Sequence, residues 1–477
     1  MFFIVTQLPN VLWLVSDHQI HVNGPQGGDS HPLQRFLKQV GTEFAEARTV
    51  LPVCSPARAS MLTGLYPHAH GLTENDGRFG GRDGLSHSDW MVHHHLKQVG
   101  YRCAWFGKWH LDNFRSANDY GFEGWSLPGY GYPYATEAYK QYLKRQGLSE
   151  PVVRVETPGE SGDLPGTEIY LCDEADWFNY EAGSASICGN VRTHEAYFVS
   201  DLAAQWMSQL NHEPFFLRVD TWGPHPPYLI GQDQQQTGNA QEISLPGSFY
   251  NQLEHRPTHH RDYRDEWQKC LGFDERDWKL LYLRARQQAQ LVESALLELV
   301  RRIDFSNTLV IYTSDHGDAV GTNGGTANKG GLMTESTLRV PLLMAGPNIS
   351  AGSQNHALVS NLDIPATLLD LTRGHKKNLH SRSLLPMMSG TPFHCGWLAQ
   401  HNGLHVHLPQ RAWYENSWKL VVQADGFLEL YNLINDPDEL NNLATSMSHV
   451  EIKEKMIQNM KRKMLEIDDD FRFFGQE

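Results

Sequence analysis

Thr308-Leu309-Val310-Ile311-Tyr312-Thr313-Ser314-Asp315-His316-Gly317-Asp318 joins a short apolar and β-branched run directly to two carboxylates and an imidazole. Such a run reads as a buried strand, and polar residues just beyond the carboxyl end of a strand lie where ligands gather in open α/β sheets. Working outward, the same pattern recurs. Val11–Val15 leads into Ser16-Asp17-His18, and Arg102–Phe106 leads into Gly107-Lys108-Trp109-His110. Phe215–Val219 and Leu342–Ala345 also read as buried strands. Between them, Trp90–Val99 ends at Gly100, Ala196–Leu210 carries an apolar stripe, and Trp278–Arg302 is the longest helical pattern. The expected fold is α/β, with a large mixed central sheet, helices on both faces, and three strand ends facing one pocket.

The segments Arg115–Thr193 and Leu229–Trp278 are rich in Gly, Pro, Tyr, Gln and His with weak periodicity. They read as excursions that wall the pocket. Near Gly390-Thr391-Pro392 the pattern changes to short β-like runs, Arg411–Gln423 and Phe427–Tyr431, followed by a charged helix from about Val450 to Ile467. A chain of 477 residues exceeds what one core normally supports. The expected division is a main α/β domain over 1–392 and a small C-terminal α+β domain over 393–477.

With 40 Lys+Arg against 55 Asp+Glu, the formal charge of -15 repels nucleic acid and anionic lipid. The expected partner is a small or saccharide ligand in a local cationic pocket. The six cysteines are spread and contain no CxxC pair, so free thiols are expected, with Cys172–Cys188 the one conceivable bridge. No run approaches the roughly 18 apolar residues of a membrane span. The opening MFFIVTQLPNVLWLV lacks a basic n-region and a cleavage site. The expected compartment is cytoplasmic as written, and periplasmic or secreted if a leader has been removed.

In Val53-Cys54-Ser55-Pro56-Ala57-Arg58-Ala59-Ser60-Met61-Leu62-Thr63-Gly64, Pro56 suits the first turn of a helix. Cys54 then sits at a helix N-terminus with Arg58 one turn later. Two readings follow from the residues alone: a thiolate activated by its surroundings, or a small buried hydrophobe before an ordinary helix.

That stretch resembles the Cys-x-Pro-x-Arg signature of type I formylglycine-dependent sulfatases, members of the alkaline phosphatase-like superfamily. The resemblance extends along most of the chain. It covers Pro9-Asn10-Val11 through Asp17, Gly107-Lys108-Trp109-His110-Leu111, and Pro214-Phe215-Phe216-Leu217 through Pro224-His225. It continues through Thr308–Asp318, Arg339-Val340-Pro341, and Leu430-Tyr431-Asn432-Leu433 with Asp436-Pro437. It implies a sulfuric ester hydrolase whose Cys54 is oxidised to formylglycine by a maturation enzyme, over a catalytic domain spanning 1–392. It also implies one divalent metal held by Asp17, Asp315 and His316 beside the residue at 54. Many members have a second Asp where this chain has His18, and Asn where it has His316. The Asp/His form is similar to choline sulfatases and phosphonate monoester hydrolases, which leaves Ca2+ and Mn2+ both open.

The resemblance further implies that Arg58 holds the ionised nucleophile, that Lys108 and Lys329 neutralise sulfate oxygens, and that Asn75 contacts sulfate. It gives His110 a proton role in sulfate release and sets His225 at the leaving-group oxygen. One hydroxyl of the hydrated aldehyde, activated by the metal and Asp315, attacks sulfur; the second then expels sulfate by C–O cleavage. The expected substrate is a sulfated saccharide of limited size. Trp125, Tyr130, Tyr132, Tyr134, Trp177, Tyr228, Tyr250 and Trp267 are candidates either for stacking sugar rings or for packing the excursions on the sheet. Phosphonate monoesters, phosphodiesters and choline sulfate are alternative substrates, and an unmatured sulfoglycan-binding protein is the non-enzymatic alternative. His93-His94-His95 resembles a metal cluster in one dimension, but consecutive helical residues diverge. His401, His405 and His407 alternate and could line the pocket mouth.

Overall fold

A computed structural model describes residues 8–20, 31–157, 163–165, 182–211, 213–389, 396–404 and 406–472. The strand Asn10–Ser16 shows why the sheet needs two covers. Val11, Trp13 and Val15 join one apolar cluster with Met61, Leu62 and Met91, whereas Leu12 and Leu14 join another with Phe198, Leu217 and Val292. Side chains alternate across a strand, so a run apolar at every position must be roofed on both faces. Helices Glu195–Ser208 and Glu275–Val300 cover one face; Cys54–Thr63 and Val92–Gln98 cover the other.

Edge to edge, the eight-stranded central sheet runs Ser353–Ser360, Thr42–Arg48, Leu342–Ala345, Thr308–Ser314, Asn10–Ser16, Phe215–Asp220, Arg102–Lys108 and Glu123–Leu127. Leu342–Ala345 is antiparallel to both of its neighbours, and the other pairs are parallel. The sheet is therefore mixed, and its central parallel strands point their carboxyl ends the same way.

The long helical pattern is realised as Glu275–Val300, started by Asp274, whose side chain accepts from the N–H groups of Arg276 and Asp277. Within Val92–Gln98 the three histidines separate. His93 is buried, with Nε2 3.0 Å from the Tyr120 carbonyl, and His95 Nε2 meets Thr372 Oγ1 at 3.0 Å. The excursions hold more regular structure than their weak periodicity predicts. Val152–Thr157, Asp163–Pro165, Ser184–Cys188 and Tyr228–Gly231 form a second four-stranded sheet, and Thr258–Leu271 is a helix. That helix buries only His260, Tyr263 and Trp267, too few to show a broad apolar stripe.

The C-terminal sheet is antiparallel, with strands Trp397–Gly403, His407–Glu415, Trp418–Gln423 and Leu428–Asn432 in sequence order. The run read as one segment from Arg411 to Gln423 is a hairpin that turns at Asn416, whose φ of 53° lies in the left-handed region that Asn tolerates. Helix Val450–Glu466 packs Met456, Met460 and Met464 against it. Residues 390–395, where the expected domain boundary falls, lie outside the described residues. Cys54, Cys103, Cys188 and Cys270 are free thiols, and Cys172 and Cys395 also lie outside the described residues. Among the described residues, no helix is long and apolar enough to cross a membrane.

Candidate active site

Asp17, Asp315, Asp220 and Lys108 stand at the carboxyl ends of four strands, consecutive in the sheet order. Adjacent strands are about 4.8 Å apart, so neighbouring ends bring these side chains into one cluster. The helix Cys54–Thr63 enters above them. All ten of its residues are buried, and it stops at Gly64, whose φ of 69° lets its N–H reach the Ser60 carbonyl. Cys54 Sγ lies 3.1 Å from His316 Nε2 and 3.7 Å from Asp17 Oδ1.

Arg58, one turn on, organises the carboxylates. Its Nε donates to Asp315 Oδ2 at 3.0 Å, and Nη1 donates to Asp220 Oδ2 at 2.7 Å and to the Lys108 carbonyl at 3.2 Å. Nη2 is buried without a hydrogen-bond partner, 3.8 Å from Asp17 Oδ1. Lys108 Nζ pairs with Asp17 Oδ2 and lies 3.7 Å from the centre of the Tyr130 ring. Asp315 Oδ1 accepts the backbone N–H groups of His18 and His316 at 3.0 and 2.9 Å. His316 Nδ1 is 2.8 Å from the Gly317 carbonyl, which makes Nδ1 the protonated nitrogen and leaves a lone pair on Nε2.

Burial, then the charge of Asp17, pushes the Cys54 thiol up to about 11. The thiolate expected from a helix N-terminus is therefore disfavoured, because desolvation and two carboxylates outweigh the helix end. Burial and the Asp315 charge raise Asp17 to about 6. Against its own burial, Asp315 is held well below the usual carboxylate range by His316, Arg58 and Lys108. With both oxygens engaged and its proton affinity low, Asp315 is a poor base. Burial lowers His316 to about 4, so it stays neutral near pH 7.

Donor atoms of Asp17, Cys54, Asp315 and His316 all lie within 4.8 Å of one another. Cys54 Sγ there stands in for the oxygen that an oxidised side chain would present. Two carboxylates and a neutral imidazole suit a divalent cation, so the donor set fits one.

The other sequence candidates fall around this cluster. Asn75 Oδ1 accepts the Ser55 N–H at 3.0 Å. Lys329 is buried, and its own N–H is capped by the Asn328 side chain at 2.7 Å. His225 Nδ1 is 2.8 Å from the Pro226 carbonyl, and its ring meets those of His18 and Tyr130 edge-on. His110, with a φ of 52°, stands edge-on to Tyr130 with Nδ1 buried and unbonded. Burial, then nearby lysines, holds both His110 and His225 well below the usual histidine range. His18 is fully buried, 3.5 Å from Asp318 Oδ1, and Asp318 Oδ2 accepts the Tyr228 hydroxyl at 2.6 Å.

Most of the aromatic set packs rather than lines. Tyr134, Tyr228 and Trp267 are buried, and Trp125 packs on Phe198 and Trp222. Tyr130 does reach the site, with Tyr132 against it; Tyr250 is exposed, and its hydroxyl bonds Glu275. Trp177 lies outside the described residues. His401 is buried, with Nδ1 accepting the Gly403 N–H; His407 is exposed beside Phe79, and His405 is outside the described residues. Sequence reasoning missed Asp220 and Arg218. Their signal was two charges two residues apart, hence on one face, in a strand otherwise apolar.

A cleft of about 670 Å³ opens beside Asn75 and Gly330, the neighbour of Lys329. Helix Thr258–Leu271 presents His259, Asp262 and Glu266 to it, and the turn after Gly403 adds Leu404 and Val406.

The sequence and the fold both have named counterparts. The sulfatase family model matches residues 9–375, and the model for the C-terminal part of N-sulphoglucosamine sulphohydrolase matches 328–466. The chain belongs to the sulfatase family, and it is a sulfuric ester hydrolase. Arylsulfatase K of Rattus norvegicus is 27% identical, over 94% of this chain and 76% of its own length. A phosphonate monoester hydrolase from Silicibacter pomeroyi shares the fold at a TM-score of 0.77 and 18% identity, covering 97% of this chain and 96% of its own. BT4656, solved with its substrate D-glucosamine-2-N,6-O-disulfate, shares it at 0.70 and 17% identity, covering 98% and 100%.

Proposed function

We propose that this sulfatase removes sulfate from a saccharide of limited size, using a nucleophile made by oxidising Cys54 to formylglycine through a maturation enzyme. The observation that carries the reading is Cys54 at the head of a buried helix, clustered with Asp17, Asp315 and His316, with Arg58 Nη2 unbonded 3.8 Å from Asp17 Oδ1. Asp17, Asp315 and His316, with the oxidised residue 54, would hold one divalent cation, Ca2+ or Mn2+. When bound, it supplies a Lewis acid that lowers the pKa of the nucleophile and polarises a sulfate oxygen.

The chain's own groups do the rest. Arg58 presents a permanent charge at the position of the nucleophile oxygen. Lys108, Lys329 and Asn75 take the non-bridging sulfate oxygens, neutralising charge that the buried site would otherwise reject. His225, its Nδ1 proton committed to Pro226, offers Nε2 for proton exchange at the leaving oxygen. His110 takes the proton whose loss releases sulfate. The cleft beside Asn75 and Gly330 is large enough for sugar rings, and the saccharide substrate of the similarly folded BT4656 supports that class.

A second reading, phosphonate monoester or phosphodiester hydrolysis, is favoured by His316 and by the fold shared with the phosphonate monoester hydrolase. Trypsin releases Thr49–Arg58 from the active enzyme, and its mass is expected to show an aldehyde at position 54. Thiol throughout that peptide in fully active protein would sink the nucleophile. Parallel kcat/KM values for sulfated mono- and oligosaccharides, aryl sulfate, choline sulfate and aryl phosphonate separate the substrates, and a saccharide is expected to lead.

A further inference from the structure

Arg218 is a full charge where the packing calls for an apolar side chain. It lies in mid-strand in Phe215–Asp220, is fully buried, and pairs in register with Trp13 on one neighbouring strand and Trp105 on the other. Its guanidinium carbon is 4.3 Å from the Trp13 ring centre and 4.2 Å from that of Trp105. Nε and Nη2 grip Asp220 Oδ1 and Oδ2 at 2.8 and 3.0 Å. The same Asp220 Oδ2 receives Arg58 Nη1 at 2.7 Å. One carboxylate is thus shared by two guanidinium groups, one locked in the sheet and the other in the site.

Stability does not account for this. Replacing a buried ion pair by well-packed apolar groups is often neutral or stabilising, and two tryptophans already line the space. What the pair supplies is direction. A planar fork lying between two indoles is restricted in rotation, and its two-point grip restricts the orientation of Asp220. Arg58 is then held at Nε by Asp315 and at Nη1 by Asp220, which leaves Nη2 as its one unbonded nitrogen, 3.8 Å from Asp17 Oδ1, the atom that lies 3.7 Å from Cys54 Sγ. A lysine at 218 would keep the charge and lose the two-point grip.

We propose that Arg218 is a positioning residue for the reaction: clamped between Trp13 and Trp105, it orients Asp220, which fixes Arg58 with Nη2 turned to the nucleophile. This rests on the reading of Arg58 given above. Arg218 is bonded to Asp220 and not to the residues around Cys54, so its effect is expected to travel through Asp220 to Arg58.

The test is a double-mutant cycle. Arg218→Lys, the charge-free pair Arg218→Met/Asp220→Asn, Arg58→Met, and the combinations with Arg58→Met are made with the maturation enzyme. Rates are expressed per aldehyde at position 54, and folding is checked by circular dichroism and Tm. The pair variant is expected to keep KM for an aryl sulfate within about threefold while kcat falls about 100-fold, the scale for losing one oriented donor. Arg218→Lys is expected to fall at least about tenfold on the same grounds. In the Arg58→Met background, the Arg218 changes are expected to cost nothing further. Wild-type kcat in the pair variant, or full additivity with Arg58→Met, would overturn the proposal. Should the pair variant not fold, Arg218→Lys decides alone, and an undiminished kcat overturns it. Wild-type kcat in Arg58→Met itself would instead overturn the reading of Arg58.

Discussion

Asp17 and Asp315 are adjacent carboxylates in opposite condition. Asp315 spends its oxygens on two backbone N–H groups and Arg58, and is held well below the usual range; Asp17, facing Lys108, is raised to about 6 by burial and by Asp315. Asp315 is thus already charge-compensated, whereas the raised Asp17 has room for more positive charge, which a divalent cation would supply. In the proposed metal site His316 would be the selective ligand, because a neutral imidazole favours a borderline metal over a hard one. His316→Asn is therefore expected to weaken Mn2+ by at least the ~10-fold that loss of an outer-shell partner costs, and to spare Ca2+. Thermal shift under titration with each ion reads this without activity, and equal losses for both ions would exclude a selective role. At this scale the sequence was highly legible: the strand-end polar residues and the Cys54 run named the cluster. Arg218 and Asp220 escaped because charge inside a strand carries no sign of its partner, which comes from another strand or the helix above.

Among the elements, the five apolar central strands were read nearly to the residue, whereas Thr42–Arg48, Glu123–Leu127 and Ser353–Ser360 of the same sheet, with polar residues among their apolar ones, were not. Helix Thr258–Leu271 was not, since its cleft face is as polar as its solvent face. That face, His259, Asp262 and Glu266 at helical spacing, gives the cleft an acidic wall. Arg78, which also lines the cleft, is engaged with Asp76 at 2.5 Å. A substrate with a second sulfate or a carboxylate near this wall is disfavoured. Asp262→Lys/Glu266→Lys is expected to raise kcat/KM for a disulfated saccharide relative to a monosulfated one by roughly fivefold, about 1 kcal/mol. An unchanged ratio would show that the substrate does not pass this wall. The hairpin at Asn416 was likewise illegible, for one polar turn between aromatic residues interrupts an apolar pattern too briefly.

Across the whole molecule, the C-terminal sheet is tied to the central sheet by buried charge. Arg48, on the strand Thr42–Arg48, grips Glu335, which also accepts from the Tyr414 hydroxyl at 2.7 Å; Lys419 lies 3.6 Å from Glu335 and 2.6 Å from Glu439. Against the upward pull of burial, Arg48 and Lys419 hold Glu335 well below its ordinary 4.5. A carboxylate depressed on folding stabilises above its unfolded pKa, and that stability is lost as pH falls through the folded value. Glu335→Gln is expected to cost about 3 kcal/mol at pH 7 and progressively less below about pH 4.5, read as a closing gap in Tm. A gap independent of pH would remove the charge argument. Composition announced the C-terminal change of pattern, but no local pattern reports that Val50, Tyr66 and Leu338 share a core with Leu420 and Leu430.

Cys54 is 1% exposed, and its neighbours Asp315 and His316 lie more than 250 residues further along the chain, as the separation of 262 to His316 shows. The thiol is therefore accessible only for a limited time. On the proposed maturation of Cys54, an oxidising enzyme would reach it while the chain is being made and would be shut out once Asp315 and His316 pack against it. Purified folded protein carrying the thiol is expected to stay inactive when the maturation enzyme is added, and to gain aldehyde only if it is first unfolded. Efficient conversion of the folded chain would mean that the helix Cys54–Thr63 opens on its own; on the proposed maturation, the yield of active enzyme would instead be a clock for folding.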